Sequence, residues 1–456
     1  MNRIERRATA GLAGIYALRM LGLFMILPVF ALYAEGLAGT TPVLVGLAIG
    51  IYGLTQAALQ IPFGMLSDRV GRKPMIIVGL LIFAVGSGIA AEAVSIQGVI
   101  LGRALQGAGA IAAVVLALLA DLTREEVRLR TLAVIGLTIG LSFSAALVLG
   151  PLLGRWVGVD GIFWLTALMA LIGIAMVALV VPSPPRVTVH SDTEAVPAQF
   201  RRVLADAELR RLDVGIFILH LSLTALFVAL PLVLRDTLGL AAEYHGWLYL
   251  PVVLLAFTLM VPFVVLAERR RRLRGVFLGA IIALLAAVVG LWTATTTALW
   301  SLLVATLVLF FTAFNLLEAS LPSLVAKAAP AAAKGTAMGV YSAAQFLGAF
   351  GGGLLGGTLY GWGESGAVFA FVAVAVGLWW LVARGMAPPR YLINRVVGLP
   401  EPVPEAGALR RRLLAVSGVV EAEVVVDEGA AYLKVDTAHL DEAALGDVVA
   451  APAGAG

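Results

Sequence analysis

The stretch Gly64-Met-Leu-Ser-Asp68-Arg69-Val-Gly71-Arg72-Lys73-Pro74 decides the fold of this chain. It joins two long apolar runs and contains one acid, two arginines and a lysine, with Gly71 available for a tight turn. A loop that is so short and so charged, between two apolar segments, lies at a membrane surface. The sequence therefore predicts two adjacent membrane-spanning helices, one on each side of this loop.

The composition extends this prediction to the whole chain. Of its 456 residues, 61% are hydrophobic and only 13% are charged, so a soluble domain could not bury the apolar surface. A polytopic membrane protein can, because lipid serves as the apolar solvent. The chain has no cysteine, which excludes disulfides, thiolate metal sites and cysteine nucleophiles, and no metal site is expected.

Apolar runs of about 20 residues, long enough to cross a bilayer, occur six times and, after a break, six times more. Predicted spans 1 to 6 cover 11–34, 43–66, 75–93, 98–121, 131–154 and 161–181. Predicted spans 7 to 12 cover 212–234, 245–267, 276–296, 299–325, 335–360 and 364–384. The sequence thus predicts an all-α polytopic protein with an N-terminal six-helix bundle (1–181), a polar linker (182–211) and a C-terminal six-helix bundle (212–387).

Lysine and arginine are concentrated in alternate loops between these spans. The basic set comprises Arg69, Arg72 and Lys73, then Arg124, Arg128 and Arg130, then Arg201, Arg202, Arg210 and Arg211, then Arg269 to Arg272 and Arg274, and then Lys327 and Lys334. The opposite loops contain chiefly Arg155 and Arg235. Because positively charged loops are retained in the cytoplasm, the basic loops and both termini are predicted to be cytoplasmic.

Residues 388–456 differ in composition from the spans and predict a small cytoplasmic domain. The predicted elements are a strand at 391–397, a helix at 405–416, a hairpin of 419–426 and 430–435, and a helix at 440–449. This β-α-β-β-α order is ferredoxin-like, with a closing strand either missing or supplied by the tail 451–456. We expect a regulatory or interaction module, with a passive cytoplasmic cap as the alternative.

Several segments resemble known families. The opening stretch has the residue order that major facilitator transporters carry between their second and third helices, and 101–110 resembles their second motif. Segments 19–37, 48–74 and 100–125 are similar to the YajR group of these transporters, which carries a cytoplasmic ferredoxin-like domain after helix 12. Segment 416–436 resembles heavy-metal-associated domains, but their metal-binding cysteine pair is absent here.

The resemblance to the YajR group implies the 12-helix major facilitator fold and a drug/proton antiporter. Such a protein would be a monomer of the bacterial inner membrane that exports small, drug-like molecules by alternating access. Its energy source would be the proton gradient, so no cofactor is expected. The expected partners are a small-molecule substrate, protons and membrane lipids, and no nucleic acid.

The resemblance further implies a conformational clamp that joins the two bundles on the cytoplasmic side. Its members would be Gly64, Asp68, Arg69, Gly71, Arg72 and Lys73, with Asp121 as the third charged group. An acid here can also interact with the positive end of a facing helix, and span 11, starting near Gly335, is the expected neighbour. Alternatively, these charges only mark the inside face. The equivalent loop, Glu268 to Arg272, lacks the Asp and Gly and predicts a degenerate clamp.

Two further motifs lie within the predicted spans. Arg103 on span 4 is a charge at membrane depth, where charges are costly and usually functional. The resemblance links it to proton transfer, and the alternative is a structural anchor bonded to backbone carbonyls of span 1. On span 5, Gly150, Pro151 and Gly154 resemble the antiporter motif, although Ala146 replaces its usual first Gly and a final Gly is replaced by Arg155.

Polar residues within the spans predict a central cavity. The candidates for proton coupling and substrate contact are Arg19, Tyr52, Gln56, Gln60, Arg103, His220, Asn315, Glu318, Tyr341 and Gln345. In this superfamily helices 1, 4, 7 and 10 line the cavity, which makes Glu318 on span 10 the candidate protonatable acid. His220 alone is a weaker candidate, because it could simply bond a neighbouring carbonyl.

Enzymatic functions are disfavoured by the motifs that the chain lacks. It has no GxxxxGK[ST] loop for an ATP-driven pump and no HExxH or GxSxG constellation for hydrolysis, so we predict that it is not an enzyme. Two alternatives to export remain: a proton-linked uptake symporter for a sugar or other solute, and a transporter-like sensor that signals through the C-terminal domain. The Gly150-Pro151 motif favours export.

Overall fold

The computed structural model describes residues 1–183, 199–330, 333–388, 392–399, 406–426, 429–436 and 439–450. The helices before the C-terminal domain are α1 (Arg3–Phe24), α2 (Leu27–Ala34), α3 (Pro42–Val70), α4 (Arg72–Ala91), α5 (Ile96–Ala108), α6 (Ala112–Leu122), α7 (Glu125–Leu179), α8 (Phe200–Ala205), α9 (Ala207–Leu232), α10 (His245–Arg269), α11 (Leu273–Thr297), α12 (Trp300–Ala328) and α13 (Lys334–Ala383). The predicted linker lies partly outside the described residues, and its described end is helical from Phe200 onward.

In the described part of the chain, ten helical stretches are long and apolar enough to cross a membrane, and two of them are double-length. The helix α7 leaves helical geometry at Gly158, whose φ of 69° suits a residue without a Cβ. The helix α13 does so at Gly363 and Glu364. These breaks separate spans 5 and 6 and spans 11 and 12, which confirms the predicted twelve-helix fold.

The other spans each correspond to one helix or to two consecutive short ones. Span 1 is α1 with α2, span 4 is α5 with α6, and spans 2, 3, 7, 8, 9 and 10 are α3, α4, α9, α10, α11 and α12. We call the end of the bundles that carries the basic loops the basic face. The other end, with Glu35, Arg155 and Arg235, is the opposite face.

Glycines bring spans 2 and 11 into backbone contact near the opposite face. A Cβ on Gly46 would lie 2.0 Å from the carbonyl oxygen of Gly353, and one on Gly50 would lie 2.7 Å from that of Phe350. No side chain fits at such distances, so these small residues allow the two bundles to touch. Nearer the basic face, Ser342 of span 11 donates to Gln60 of span 2 over 3.2 Å. The bundles are therefore closed toward the opposite face.

Ion pairs join the two bundles at the same face. Arg235, in a π-helical turn that follows α9, bonds Glu35 after span 1 through both carboxylate oxygens, at 2.5 and 2.9 Å. Arg155 lies 3.7 Å from Glu243 of the loop between spans 7 and 8. Exposed pairs of this kind contribute only about 0.2–1 kcal/mol each. These ion pairs alone are therefore too weak to keep the bundles closed at this face, and the glycine contacts contribute as well.

The C-terminal domain contains β1 (Ile393–Gly398), α14 (Ala406–Ala415), β2 (Val419–Val425), β3 (Ala430–Val435) and α15 (Glu442–Ala450). Its described strands form an antiparallel sheet in the order β1-β3-β2, as a ferredoxin-like fold requires. Leu409 and Leu413 of α14, Leu445 of α15 and Leu433 of β3 share one core. The tail 451–456, a candidate closing strand, lies outside the described residues.

The other face of this sheet docks on the basic face of the bundles. Lys434 on β3 is only 3% exposed, and its Nζ donates to the carbonyl oxygen of Lys327 at the end of α12, at 3.1 Å. Glu423 on β2 accepts two bonds from Arg202 of α8, at 2.8 and 2.9 Å. A sheet with helices on one side would normally expose the other, so these contacts explain why β3 is buried on both faces.

Removing residues 388–456 should leave the twelve-helix body folded. The domain has its own apolar core, and the contacts above that tie it to the bundles are polar, so we expect the melting temperature of the body to change by no more than about 4 °C. Thermal unfolding and size exclusion of the truncated protein in detergent would measure this. Loss of insertion or of monodispersity would mean that the domain is a structural part of the bundle.

Candidate functional site

Arg72 is the centre of a buried polar cluster at the basic face. Its side chain is fully buried, with Nε 3.3 Å from Asp121 and Nη1 donating to Ser67 at 2.7 Å and to Asp68. The preceding Gly71 has a φ of 103°, which favours glycine at this turn between α3 and α4. A buried arginine needs anionic partners and further hydrogen bonds, and the cluster supplies both. Ser67 was not among the predicted residues.

The remaining predicted clamp residues surround this cluster. Lys73 donates to the carbonyl oxygen of Val181 over 2.9 Å, which ties the loop to the end of span 6. Gly64 faces Ala113 of span 4, and a Cβ on Gly64 would meet that side chain at 3.6 Å, an ordinary contact. Arg69 is exposed. The loop is thus anchored within the N-terminal bundle through spans 4 and 6.

Asp68 is not engaged with the other bundle in this conformation. Its carboxylate bonds Arg72, its side chain is 29% exposed, and it makes no hydrogen bond or ion pair with a described residue of α13. The expected neighbour, the start of span 11 near Gly335, is therefore not bonded to it here. The side chain of Glu268, in the equivalent loop of the second half, is not among the described ones.

Two buried arginines share the ring of Tyr52 in the N-terminal bundle. The guanidinium carbons of Arg19 and Arg103 lie 5.9 and 5.5 Å from the ring centroid. Arg19 also donates to Gln56 at 2.7 Å and to the carbonyl oxygen of Gly109, at the end of α5, at 3.1 Å. Neither arginine forms an ion pair with a described acid. Bonds to carbonyl and amide oxygens and cation–π contacts hold these charges at membrane depth.

The alternative role predicted for Arg103, an anchor bonded to backbone carbonyls of span 1, is wrong about the span. Its guanidinium donates to the carbonyl oxygens of Ala48 at 3.3 Å and Ile49 at 3.4 Å, which belong to span 2 and not to span 1. The reason is close packing of spans 2 and 4, since a Cβ on Gly107 would lie 2.2 Å from the carbonyl oxygen of Tyr52. Arg103 is therefore placed as an anchor between spans 4 and 2.

The predicted antiporter motif, Gly150, Pro151 and Gly154, lies where span 5 crosses spans 1 and 8. A Cβ on Gly150 would be 2.3 Å from the carbonyl oxygen of Met25, at the break between α1 and α2. Gly246 of span 8 packs on Pro151, with 3.5 Å between its ideal Cβ position and the proline ring. Gly154 makes only ordinary contacts. The motif thus forms part of the closed end of the bundles.

Glu318, His220 and Gln345 form a second polar cluster, in the C-terminal bundle. The side-chain nitrogen of Gln345 lies 3.1 Å from Glu318 Oε1 and 2.8 Å from His220 Nε2. His220 Nδ1 lies 3.8 Å from Glu318 Oε2. These three residues come from spans 10, 7 and 11, so the fold brings together side chains that are far apart in the sequence.

The position of Glu318 suits a group that exchanges protons. It lies ten residues before the end of α12, about 15 Å along the helix from the basic face. Its side chain is 35% exposed, whereas residues 311–317, which precede it on the same helix, are buried. In the described part of the chain it forms no ion pair with lysine or arginine. An acid at this depth that is bonded to an amide and only partly buried can bind and release a proton.

Three more residues border this cluster. Tyr341 is buried, its hydroxyl has no hydrogen-bond partner among the described residues, and it lies within electrostatic range of both Glu318 and Asp213. Asp213 lies seven residues before His220 on span 7 and was missed in the sequence, although an acid just inside an apolar run is a usable signal. Asn315 is buried one turn before Glu318. Acids and hydroxyls thus extend from Glu318 toward the basic face.

The predicted cavity residues therefore fall into two clusters rather than one. Arg19, Arg103, Tyr52 and Gln56 pack within the N-terminal bundle, and Gln60 touches span 11 through Ser342. Among the described residues, no group of three or more histidines and acids stands close enough to hold a metal ion. The chemistry available is proton binding at Glu318 and hydrogen bonding to a ligand.

Comparisons with known proteins agree with this architecture. The family model of the Major Facilitator Superfamily matches residues 12–352 and 212–420, and that of the YajR YAM domain matches residues 395–450. Over 433 residues the chain is 47% identical to the inner membrane transport protein YajR of Escherichia coli (strain K12), which covers 95% of each chain.

More distant relatives include transporters of other names. The chain is 29% identical over 259 residues to the multidrug resistance protein MdtH of Yersinia enterocolitica, covering 56% of this chain and 63% of that protein. A bacterial homologue of the human lysosomal transporter Spinster, solved in an inward-facing and occupied conformation, superposes with a TM-score of 0.67 at 14% identity, over 84% of this chain and 98% of the other. At that identity the likeness shows the fold alone.

Proposed function

The chain belongs to the YajR group of the major facilitator superfamily, and on that premise we propose that it exports a small molecule in exchange for protons. It is a multi-pass transporter of the inner membrane, in a family of transporters rather than enzymes. The observation that carries the proposal is Glu318: a partly exposed acid within span 10, bonded to Gln345 of span 11 and close to His220 of span 7.

The orientation follows from the charges of the loops. The basic face is cytoplasmic, because positively charged loops are retained there, and both termini lie on that side. The bundles are then closed toward the periplasm, where Gly46 meets Gly353 and Arg235 meets Glu35. We infer that this state is inward-facing and that Glu318 is reached from the cytoplasm. Export by alternating access requires the opposite opening in the next half-cycle.

Proton coupling needs a group that is loaded on one side and unloaded on the other. In the inward-facing state Glu318 releases its proton to the cytoplasm, and the substrate binds. After the bundles rock, the substrate leaves to the periplasm and Glu318 takes up a proton there. A proton that moves down a gradient of one pH unit supplies about 1.4 kcal/mol, and each 100 mV of membrane potential adds about 2.3 kcal/mol.

Two other roles, a sensor and a proton symporter, set the alternative outcomes of the test. The docked sheet face of the C-terminal domain, through Lys434 and Glu423, supports a sensor that reports on the state of the bundles. Uptake by proton symport uses the same acid with the opposite direction of substrate flow. The Gly150-Pro151 motif at the closed end, and the similarity to a multidrug resistance protein, favour export.

The proposal can be tested in proteoliposomes with an imposed pH gradient. A panel of amphipathic cations, anions and neutral compounds would be added, and the internal pH followed with a trapped dye. Antiport predicts that at least one compound increases proton flux, with the compound and the proton moving in opposite directions. Flow in the same direction would establish symport, and a folded protein that moves no compound would favour the sensor.

A further inference from the structure

The amide of Gln345 lies against two groups that exchange protons. Its Nε2 is 3.1 Å from Glu318 Oε1 and 2.8 Å from His220 Nε2, and Glu318 Oε2 has no hydrogen-bond partner among the described residues. The His220 ring also faces the backbone carbonyl of Ile216, one turn before it on span 7. Because an amide has two donors on nitrogen and only acceptors on oxygen, its orientation restricts where protons can reside on both neighbours.

In the orientation shown, the amide nitrogen faces both groups. Its two hydrogens are donated to the Glu318 carboxylate and to His220 Nε2, so Nε2 must be free of hydrogen. The imidazole is then neutral and carries its proton on Nδ1. That Nδ1–H lies 3.8 Å from the unpaired Oε2 of Glu318, a distance that a small side-chain movement would shorten to a hydrogen bond.

The reverse orientation is consistent with the other protonation state. When Glu318 is protonated, its O–H needs an acceptor, and the amide oxygen of Gln345 supplies one after a half-turn of the amide. The same oxygen then accepts from His220 only if the imidazole proton is on Nε2. Protonation of Glu318 and the tautomer of His220 are thereby linked through one side chain.

From this geometry, and resting on the proposed proton coupling at Glu318, we propose that His220 relays the proton to Glu318 by a change of tautomer controlled by Gln345. The Nδ1–H bond of His220 breaks and its proton bonds to Glu318 Oε2, and a half-turn of the carboxyl group then places the new O–H against the amide oxygen of Gln345. A proton entering from the cavity forms the new Nε2–H bond. One proton enters, the imidazole is neutral before and after, and the carboxylate becomes a carboxyl group.

Among the described residues, few other charged groups face His220 and Glu318, so the protonation of this cluster can be measured with little influence from elsewhere. The ring of Phe314 packs on His220 with 5.8 Å between centroids. The titratable groups facing the cluster are Tyr341 of span 11, in electrostatic range of Glu318, and Asp213 of span 7, in electrostatic range of Tyr341. No described lysine or arginine forms an ion pair with either acid. A change at His220 with pH therefore reports on the cluster itself.

The test is nitrogen-15 NMR of the full-length protein, labelled at histidine and held in lipid nanodiscs. The chain has four histidines, and the His220 signals are those lost in His220→Asn. The expected result is an Nδ1–H tautomer at high pH that converts to Nε2–H as the pH falls. A tautomer that does not change with pH, or direct conversion to the doubly protonated imidazolium, would overturn the relay.

Two variants separate the relay from packing effects. Gln345→Met keeps the volume but removes the amide, so the tautomer should no longer follow pH, whereas Ser342→Ala, one turn away, should leave the conversion intact. Conversion that persists in Gln345→Met would contradict the role of the amide. Proton-driven transport with a fixed tautomer would refute the relay and leave the proposed function standing. A tautomer change without proton-driven transport would refute the proposed function and leave the link between Gln345 and the His220 tautomer standing.

Discussion

Glu318→Gln should abolish accumulation against a gradient while leaving exchange down a gradient intact. The amide has nearly the shape of the carboxyl group and can still bond Gln345, but it cannot carry a proton across the membrane. With one proton exchanged per substrate, a gradient of about one pH unit should concentrate the exported compound about tenfold in the native protein. In the variant that ratio should fall to about one, and the transport rate should lose its dependence on pH.

The measurement is accumulation in inside-out proteoliposomes, compared with counterflow at equal pH on both sides. Glu92→Gln is the matched control, because Glu92 accepts a bond from Trp164 at the opposite face and an amide can do the same. It should accumulate substrate as the native protein does. If Glu318→Gln accumulates substrate normally, proton coupling belongs to another group, and Asp213 becomes the candidate.

The twelve spans could be predicted because hydropathy is a local property of the sequence. The 50- and 55-residue helices were harder to predict from the sequence. The predicted loops between spans 5 and 6 and between spans 11 and 12 are helical on both sides of a break of one or two residues. A glycine with a positive φ, such as Gly158, reverses the chain direction without a separate loop. The hairpin strand at 430–435 was predicted with the bounds the structure gives, because alternation and turn residues coincide there.

The two clusters depended on contacts that spacing does not reveal. Arg19 was predicted to line the cavity, but it packs within the N-terminal bundle and donates to the carbonyl oxygen of Gly109, which is 90 residues away in the sequence and lies at the break between α5 and α6. The joining of His220 with Glu318 by Gln345 depends on the packing of three spans. Asp213 could have been found, since it is an acid inside an apolar run.

Arg155 and Arg235, which depart from the charge pattern of the loops, have a structural explanation. Each pairs with an acid that belongs to the other bundle, Glu243 and Glu35, so the positive charge on the opposite face is neutralised locally. The sequence showed only that these arginines were exceptions. Which acids they meet follows from the closure of the bundles at that face, a property of the conformation rather than of the local sequence.

Asp68→Asn should reduce transport about tenfold or more without unfolding the protein. In this structure Asp68 is partly exposed and makes no bond to span 11, while Arg72 keeps Ser67 and Asp121 as partners. We expect the carboxylate to act in the other state, when the basic face closes and the N-terminus of α13 approaches. A carboxylate at a helix N-terminus contributes about 0.3–2 kcal/mol, and hydrogen bonds to a charged group add about 1.5–3 kcal/mol.

Losing that interaction would deplete the outward-facing population and slow the cycle at the return step. Because the chain has no cysteine, spin labels at Val70→Cys and Arg270→Cys, both exposed on the basic face, can report the distance between the bundles. The short-distance population should shrink in Asp68→Asn and persist in the control Asp447→Asn, an exposed acid of the C-terminal domain. A folded Asp68→Asn protein with unchanged distances and normal transport would refute the clamp and leave these charges as markers of the cytoplasmic face.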